Sequence, residues 1–172
     1  MRKEIYSTNK KITSYRALPG LRRLADKSGR KIVFTSGCYD ILHLGHVKHF
    51  EFCKKWGDVL VVSVGNDATV SALKGQHRPI VKEKERLQMV AALCAVDYVV
   101  LSRESGIMDH VRLMELLRPD VYVISRGDKS ENEKRNLARS VGAKLVIDKA
   151  ERFLTRSGKE LSTTSIESEL IS

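Results

Sequence analysis

Short runs of apolar, largely β-branched residues recur along this chain, and longer stretches with helical spacing separate them. KIVFTSG (31–37), DVLVVSVGND (58–67), DYVVLS (97–102), DVYVIS (120–125) and the shorter AKLVID (143–148) read as strands bounded by turn residues. GHVKHFEFCKKWG (45–57), KEKERLQMVAALC (82–94), IMDHVRLMELLR (107–118) and residues 131–141 read as helices. In the first helix Val47, Phe50 and Lys54 share one spacing, with Phe50, Cys53 and Trp56 on an overlapping apolar face. This alternation leaves few topologies open: right-handed crossovers, a parallel sheet, and helices on both of its faces. The expected fold class is therefore α/β, a Rossmann-like sheet in a single domain.

At 172 residues the chain is long enough to bury one proper core. Residues 1–30 read as a basic, partly helical N-terminal extension, with a helix over 10–29 interrupted at Pro19-Gly20. Residues 31–172 read as the functional domain, closing on STTSIESELIS (162–172) as a short capped helix. No apolar stretch approaches the ~18 residues of a membrane span, and no secretory signal opens the chain, so the expected location is cytoplasmic. Cys38, Cys53 and Cys94 form neither a CxxC pair nor a disulfide framework. Cys53 and Cys94 fall in helical patterns and read as small core residues, whereas Cys38 reads equally as a residue facing a ligand or as a buried one.

The formal charge of +10 invites a nucleic-acid reading. However, residues 1–31 hold ten Lys or Arg against two acids, so most of the excess sits in the N-terminal arm. A basic arm binds phosphate backbones non-specifically, yet no aromatic-basic interleaving or nucleic-acid motif accompanies it. Nucleic acid is not the expected partner.

Ligands of such sheets bind beyond the carboxyl ends of the strands, where the strand order reverses. The segments that follow the strands include GCYDILHLGH (37–46), Asn66, and Gly127-Asp128. His43 and His46 lie three apart at the start of a helix, which puts both imidazoles beside amides lacking internal partners. The positive helix end with two imidazoles makes an anion site, and Gly45 lets a ligand approach the backbone. His49 lies a turn further on, but no nearby Cys or Glu completes a zinc set, so phosphate fits better than metal. KGQHRP (74–79) puts Lys74 and Arg78 around a turn suited to a polyphosphate. STTSI (162–166) reads either as a simple cap or as a second phosphate-binding helix start.

GCYDILHLGH and STTSI together resemble the signatures of the HxGH nucleotidyltransferase superfamily. FTSGCYDILHLGHVKH, VGNDATVSALKGQHRPI and AVDYVV narrow the resemblance to its cytidylyltransferase-like group, and within that to the adenylyltransferases of ADP-heptose synthesis. The matched segments span residues 32–166. The resemblance implies transfer of a nucleotidyl group from ATP or CTP to a phosphorylated acceptor, with release of pyrophosphate and without a covalent enzyme intermediate. It implies that His43, His46 and Lys74 are catalytic. Gly37, Cys38, Tyr39, Asp40, Gly45, Asn66, Arg78, Gly127, Asp128, Ser162, Thr163 and Thr164 would bind nucleotide, with Asp40 equally readable as a structural turn residue. Mg²⁺ would travel with the nucleotide rather than in a protein cage, and the protein would be a homodimer.

Three departures mark this chain. Ser36 stands where the heptose enzymes usually carry Asn, Cys38 stands where they carry an apolar residue, and ISRGDK (124–129) replaces VKGGDY. Arg126 either restores the positive charge lost with the lysine or marks a different acceptor. The alternatives are a cytidylyltransferase acting on glycerol 3-phosphate or another polyol or sugar phosphate, a flavin adenylyltransferase, and a non-catalytic nucleotide- or nucleic-acid-binding module.

Overall fold

The computed structural model describes residues 7–149 and 153–171. Six parallel strands form one sheet: β1 (Ile12–Thr13), β2 (Ile32–Gly37), β3 (Val59–Val64), β4 (Tyr98–Leu101), β5 (Val121–Ser125) and β6 (Lys144–Asp148), in the order β1-β4-β3-β2-β5-β6. Among the described residues, seven α-helices accompany them: α1 (Leu18–Lys27), α2 (Leu44–Lys54), α3 (Asp67–Lys74), α4 (Glu83–Ala91), α5 (Val111–Leu117), α6 (Glu131–Val141) and α7 (Thr163–Ile171). The chain builds outward from β2 through β3 to β4, then returns to the other flank of β2 with β5 and β6. The reversal falls between β2 and β5, which opens a crevice at their carboxyl ends.

Strict side-chain alternation makes both faces of the sheet apolar. Ile32, Phe34, Val59, Val61, Tyr122 and Ile124 face one way, against Leu18 and Ala25 of α1, Leu113, Met114 and Leu117 of α5, and Leu137 and Ala138 of α6. Val33, Leu60, Val62, Val99 and Val123 face the other way, against Phe50 and Cys53 of α2 and Leu87 and Val90 of α4. Fully burying each such aliphatic side chain stabilises the fold by about 1.5–3 kcal/mol.

The aspartates that precede three of the apolar runs have a common task. Asp58 Oδ2 accepts from the Lys31 amide at 2.8 Å, Asp97 Oδ2 from the Leu60 amide at 2.7 Å, and Asp120 Oδ2 from the Ile32 amide at 2.7 Å. Each carboxylate thus satisfies an amide of the adjacent strand at the edge opposite the crevice, where no ladder partner remains.

Three details depart from the sequence expectation. The helix expected over 10–29 is confined to Leu18–Lys27, with Pro19 inside its first turn rather than interrupting it; the amide that proline lacks would have had no helical partner there. Ahead of it, between short 3-10 turns at Thr8–Lys11 and Tyr15–Ala17, lies β1, which pairs with β4 through Ile12↔Val99 and Thr13↔Val100, and Arg22 of α1 donates to Asp120 at 2.8 Å. Cys94 is exposed, because α4 ends at Ala91. Among the described residues, no helix is long and apolar enough to cross a membrane.

Candidate active site

A cleft of about 470 Å³ lies at the crevice between β2 and β5. Its floor is the turn after β2. Tyr39 adopts the left-handed backbone region, with φ at 51°, a conformation unusual for a bulky residue. It folds its buried ring back beneath Gly37, where an added Cβ would sit 2.8 Å from the ring. Only glycine leaves room for this return. The Tyr39 ring then supports His46 edge-on, at 5.2 Å between centroids and 76° between planes, and also packs on Phe50. Burial holds the Tyr39 phenol well above its ordinary pKa.

His43 is the N-cap residue of α2 and His46 sits on the first turn. Their rings stack at 3.8 Å and 27°. A Cβ on Gly45 would lie 2.9 Å from the His43 ring, so glycine is what allows the ring to fold over the helix start. The Nδ1 atoms of both histidines are buried without a hydrogen-bond partner among the described residues. Desolvation lowers the pKa of His43, and lowers that of His46 to about 3, with the neighbouring His43 and His49 adding to it. Both imidazoles are thus neutral at pH 7 when no anion is present, and the free amides of the α2 N-terminus supply the positive potential.

The opposite wall is the first turn of α7. Ser162 and Ser165 cap each other: the Ser165 amide donates to Ser162 Oγ at 3.1 Å and the Ser162 amide to Ser165 Oγ at 2.8 Å. This pairing fixes the helix start, and Thr163 and Thr164 border the cleft beside it. Lys74, the exposed last residue of α3, also borders the cleft. Arg78 joins the walls. Its Nη1 donates to Asp40 at 2.7 Å and its Nη2 to Glu167 of α7.

Asp40 carries a structural task besides its place in the cleft wall. One oxygen takes Arg78, and the other accepts from the amides of Ile80 and Val81 at 2.8 and 3.0 Å. Buried Arg86 braces the same loop from behind, donating to the carbonyls of Cys38, Gly65 and Val81 and to Asp67 at 2.7 Å. Cys38 lines the cleft, and burial raises its thiol pKa, which disfavours the nucleophilic thiolate.

Gly37, Cys38, Tyr39, Asp40, His43, Gly45, His46, Lys74, Arg78, Arg126, Ser162, Thr163 and Thr164 therefore converge on one cleft. Asn66, Gly127 and Asp128 are not among the described residues that line it. Asn66 caps α3, accepting from the Thr69 amide at 2.8 Å and donating to the Glu104 carbonyl at 2.8 Å. Asp128 accepts from the Ser130 amide at 2.9 Å and from Lys134 Nζ at 2.6 Å, holding the start of α6.

The cleft also contains residues that sequence reasoning did not single out as site residues. His49 Nδ1 lies 2.8 Å from Asp148 Oδ2 and its Nε2 lies 2.9 Å from Thr35 Oγ1. His49 is visible in the sequence as the next turn after His46, but Asp148 is 99 residues away and carries no local signal. Among the described residues, no cluster of three or more His, Cys, Asp or Glu could hold a metal ion.

The cytidylyltransferase-like family model matches residues 34–168. The bifunctional protein HldE of Geobacter metallireducens is 45% identical over 113 residues, 66% of this chain and 22% of that protein. HldE of Helicobacter pylori is 47% identical over 94 residues, 55% of this chain and 20% of that protein. The chain thus spans about a fifth of the length of these curated relatives. Among solved structures, the lipopolysaccharide core biosynthesis protein from Thermoplasma volcanium superposes with a TM-score of 0.58 at 32% identity, covering 69% of this chain and 94% of that one. A pantoate-beta-alanine ligase from Francisella tularensis, complexed with beta-gamma ATP and beta-alanine, reaches 0.65 at 17% identity over 91% of this chain and 72% of that one, a likeness of fold alone. The chain belongs to the cytidylyltransferase-like family of nucleotidyltransferases.

Proposed function

We propose that this protein transfers a nucleoside monophosphate, with ATP as the favoured donor, onto a sugar phosphate such as heptose 1-phosphate, in the cytoplasm and as a homodimer. An acceptor phosphate oxygen attacks the α-phosphorus in line, the bond to the β-phosphate oxygen breaks, and pyrophosphate leaves. Mg²⁺ on the phosphates would neutralise part of their charge. The chain's own contribution is positioning and electrostatic stabilisation.

The observation that carries this reading is the stacked His43–His46 pair at the start of α2, facing the hydroxyl-bearing start of α7 across one cleft. Two helix N-termini and two imidazoles with unsatisfied nitrogens converge where a polyphosphate would lie. His43 and His46 hold the phosphates and stabilise the charge that builds on them; Thr163 and Thr164 grip from the other wall. Lys74 reaches over the open side. The similarity to HldE proteins and to a lipopolysaccharide core biosynthesis protein supports a heptose acceptor.

Arg126 favours a second reading. It stands in the cleft where the heptose enzymes usually carry glycine, and it suits a different phosphorylated acceptor, such as glycerol 3-phosphate with CTP. A pyrophosphate-release matrix with Mg²⁺ decides between them, offering ATP and CTP each with heptose 1-phosphate, glycerol 3-phosphate, other sugar phosphates and FMN. Selective formation of ADP-heptose is the expected result. Turnover with another pair reassigns the acceptor, and binding without turnover overturns the transferase reading.

A further inference from the structure

Beneath the cleft, on the sheet face away from α2, a chain of buried polar groups runs inward from Ser36. Ser36 Oγ lies 3.3 Å from Tyr122 Oη, Tyr122 Oη lies 2.7 Å from His110 Nε2, and His110 Nδ1 lies 3.3 Å from Asp109 Oδ1. Asp109, His110 and Tyr122 are 6%, 1% and 0% exposed, out of reach of bulk solvent, and Asp109 Oδ2 is buried without a hydrogen-bond partner among the described residues. Ser36 alone reaches the cleft. An apolar interior would be simpler at these positions, and a buried polar chain is costly unless each member is satisfied in sequence.

The chain has a direction. The tautomer of His110 that donates from Nδ1 to Asp109 Oδ1 leaves Nε2 to accept. Tyr122 must donate there, a role that suits a phenol whose burial holds its pKa far above the ordinary value. With its proton committed to His110, Tyr122 Oη is left to accept from Ser36. In this arrangement Ser36 donates inward, which leaves a lone pair of its oxygen for the cleft.

Location sharpens this. Ser36 lies on the same face of the sheet as Phe34 and Tyr122, whereas α2 packs through Phe50 and Cys53 on the other face. The phosphate-binding turn and Ser36 therefore sit on opposite sides of the sheet edge. A lone pair turned toward the cleft repels phosphate oxygens and attracts a hydrogen-bond donor.

We propose that Ser36 is a specificity-determining residue that accepts a hydrogen bond from a hydroxyl group of the bound substrate, with Tyr122, His110 and Asp109 as positioning residues that set the direction of that bond. The assignment rests on the nucleotidyl-transfer reading for what occupies the cleft. Two sources carry such a hydroxyl: the sugar of the acceptor and the ribose of the nucleotide.

The test uses the full chain and the variants Ser36→Ala and Tyr122→Phe, each first checked by thermal melting. KM values for ATP and heptose 1-phosphate are measured by pyrophosphate release, and each ligand's Kd by calorimetry with the other absent. Ser36→Ala is expected to weaken one ligand about tenfold with kcat within about twofold, the scale of one neutral hydrogen bond. Tyr122→Phe is expected to weaken the same ligand about threefold although the serine remains, because its hydroxyl is no longer held in one rotamer. A shift confined to heptose 1-phosphate assigns the acceptor hydroxyl. A shift confined to ATP, and absent for 2′-deoxy-ATP or 3′-deoxy-ATP, assigns the ribose. Unchanged KM and Kd in Ser36→Ala overturn the proposal even if Tyr122→Phe fails to fold. A fall in kcat without a KM change also overturns it, since it would mean that Ser36 donates to the reacting phosphate. Should the wild type bind but not turn over, the transfer reading fails while the calorimetric comparison still decides the role of Ser36.

Discussion

Arg78 and Asp40, 38 residues apart in sequence, meet at 2.7 Å with 9% and 5% of their side chains exposed. The contact holds the KGQHRP turn against the turn after β2, and the second guanidinium nitrogen extends the connection to Glu167 on α7. A positive group expected to grip phosphate thus already has two carboxylates beside it, so an incoming phosphate competes with them.

The more exposed of these carboxylates is Glu167, at 39%. Replacing it with glutamine removes a negative charge from the cleft and loosens its hold on Arg78. We expect Glu167→Gln to bind nucleotide about twofold to fivefold more tightly, consistent with the ~0.2–1 kcal/mol scale of part-exposed ion pairs. Equilibrium titration with ATP checks this, and weaker binding would show that Glu167 helps to hold the ligand. Asp40→Ala should instead destabilise the fold by about 3–5 kcal/mol, because it leaves a buried guanidinium half-paired and two amides without acceptors. Urea unfolding reads that loss.

His46→Ala and His43→Ala test the catalytic role proposed for the histidine pair. Removal of one preorganised donor at a developing charge lowers kcat by about 10²–10³. We expect that fall with a change in nucleotide Kd smaller than about tenfold, since the helix amides and α7 remain. Near-normal kcat in His46→Ala would remove the imidazole from the mechanism.

The depressed pKa of His46 has a definite sign in pH experiments. In the unfolded chain the imidazole has a pKa of ~6.5, whereas in the folded protein desolvation lowers it to about 3. Below pH 6.5 the unfolded state binds the additional proton, so stability falls as the pH drops toward 3, by on the order of 4 kcal/mol in total. His46→Gln should flatten that slope in urea midpoints measured between pH 6.5 and 4. Bound phosphate acts in the opposite sense. It raises the imidazole pKa, so ATP binding near pH 5–6 should take up protons and tighten as the pH falls. Calorimetry in two buffers of different ionisation enthalpy measures that uptake.

Arg86 supplies a prediction of another kind. It is fully buried and serves three carbonyls and one carboxylate at the base of the cleft. Arg86→Met should cost roughly 3 kcal/mol or more in stability, because the stranded acceptors are cut off from water. Ligand affinity should fall further than partial unfolding explains, as the Cys38 carbonyl loses its anchor. A binding titration at a temperature where the variant stays folded separates the two effects.

The sheet is legible in the sequence because both of its faces are buried, which turns its main strands into dense β-branched runs that no other class of structure uses as well. β1 is not legible, since two residues, Ile12 and Thr13, carry no period; their pairing depends on Val99 and Val100, far along the chain. Pro19 misleads because proline breaks a helix interior but suits its first turn, and only the position of the helix start decides between them. The cleft turn is legible through His43, Gly45 and His46, whose chemistry is local. Asn66 precedes an eight-residue helix and carries the signature of a cap, the role that its contact with the Thr69 amide gives it. Arg86 is hidden for a different reason: it lies in a charged helical stretch where an arginine ordinarily faces water, and its acceptors are carbonyls, which leave no trace in side-chain patterns.

The link from Arg78 to Glu167 spans 89 residues of chain, and the wall that carries Thr163 and Thr164 is made only after all six strands of the sheet. Loop closure on that scale contributes entropy but no early reward, so contacts of this separation form late and slowly. A ribosome that has finished β5 has already produced the histidine pair, yet the pair faces an open groove with one side missing. A ligand that bridges α2 and α7 therefore favours the closed cleft over any form in which α7 has not docked, and affinity for it reports on that docking.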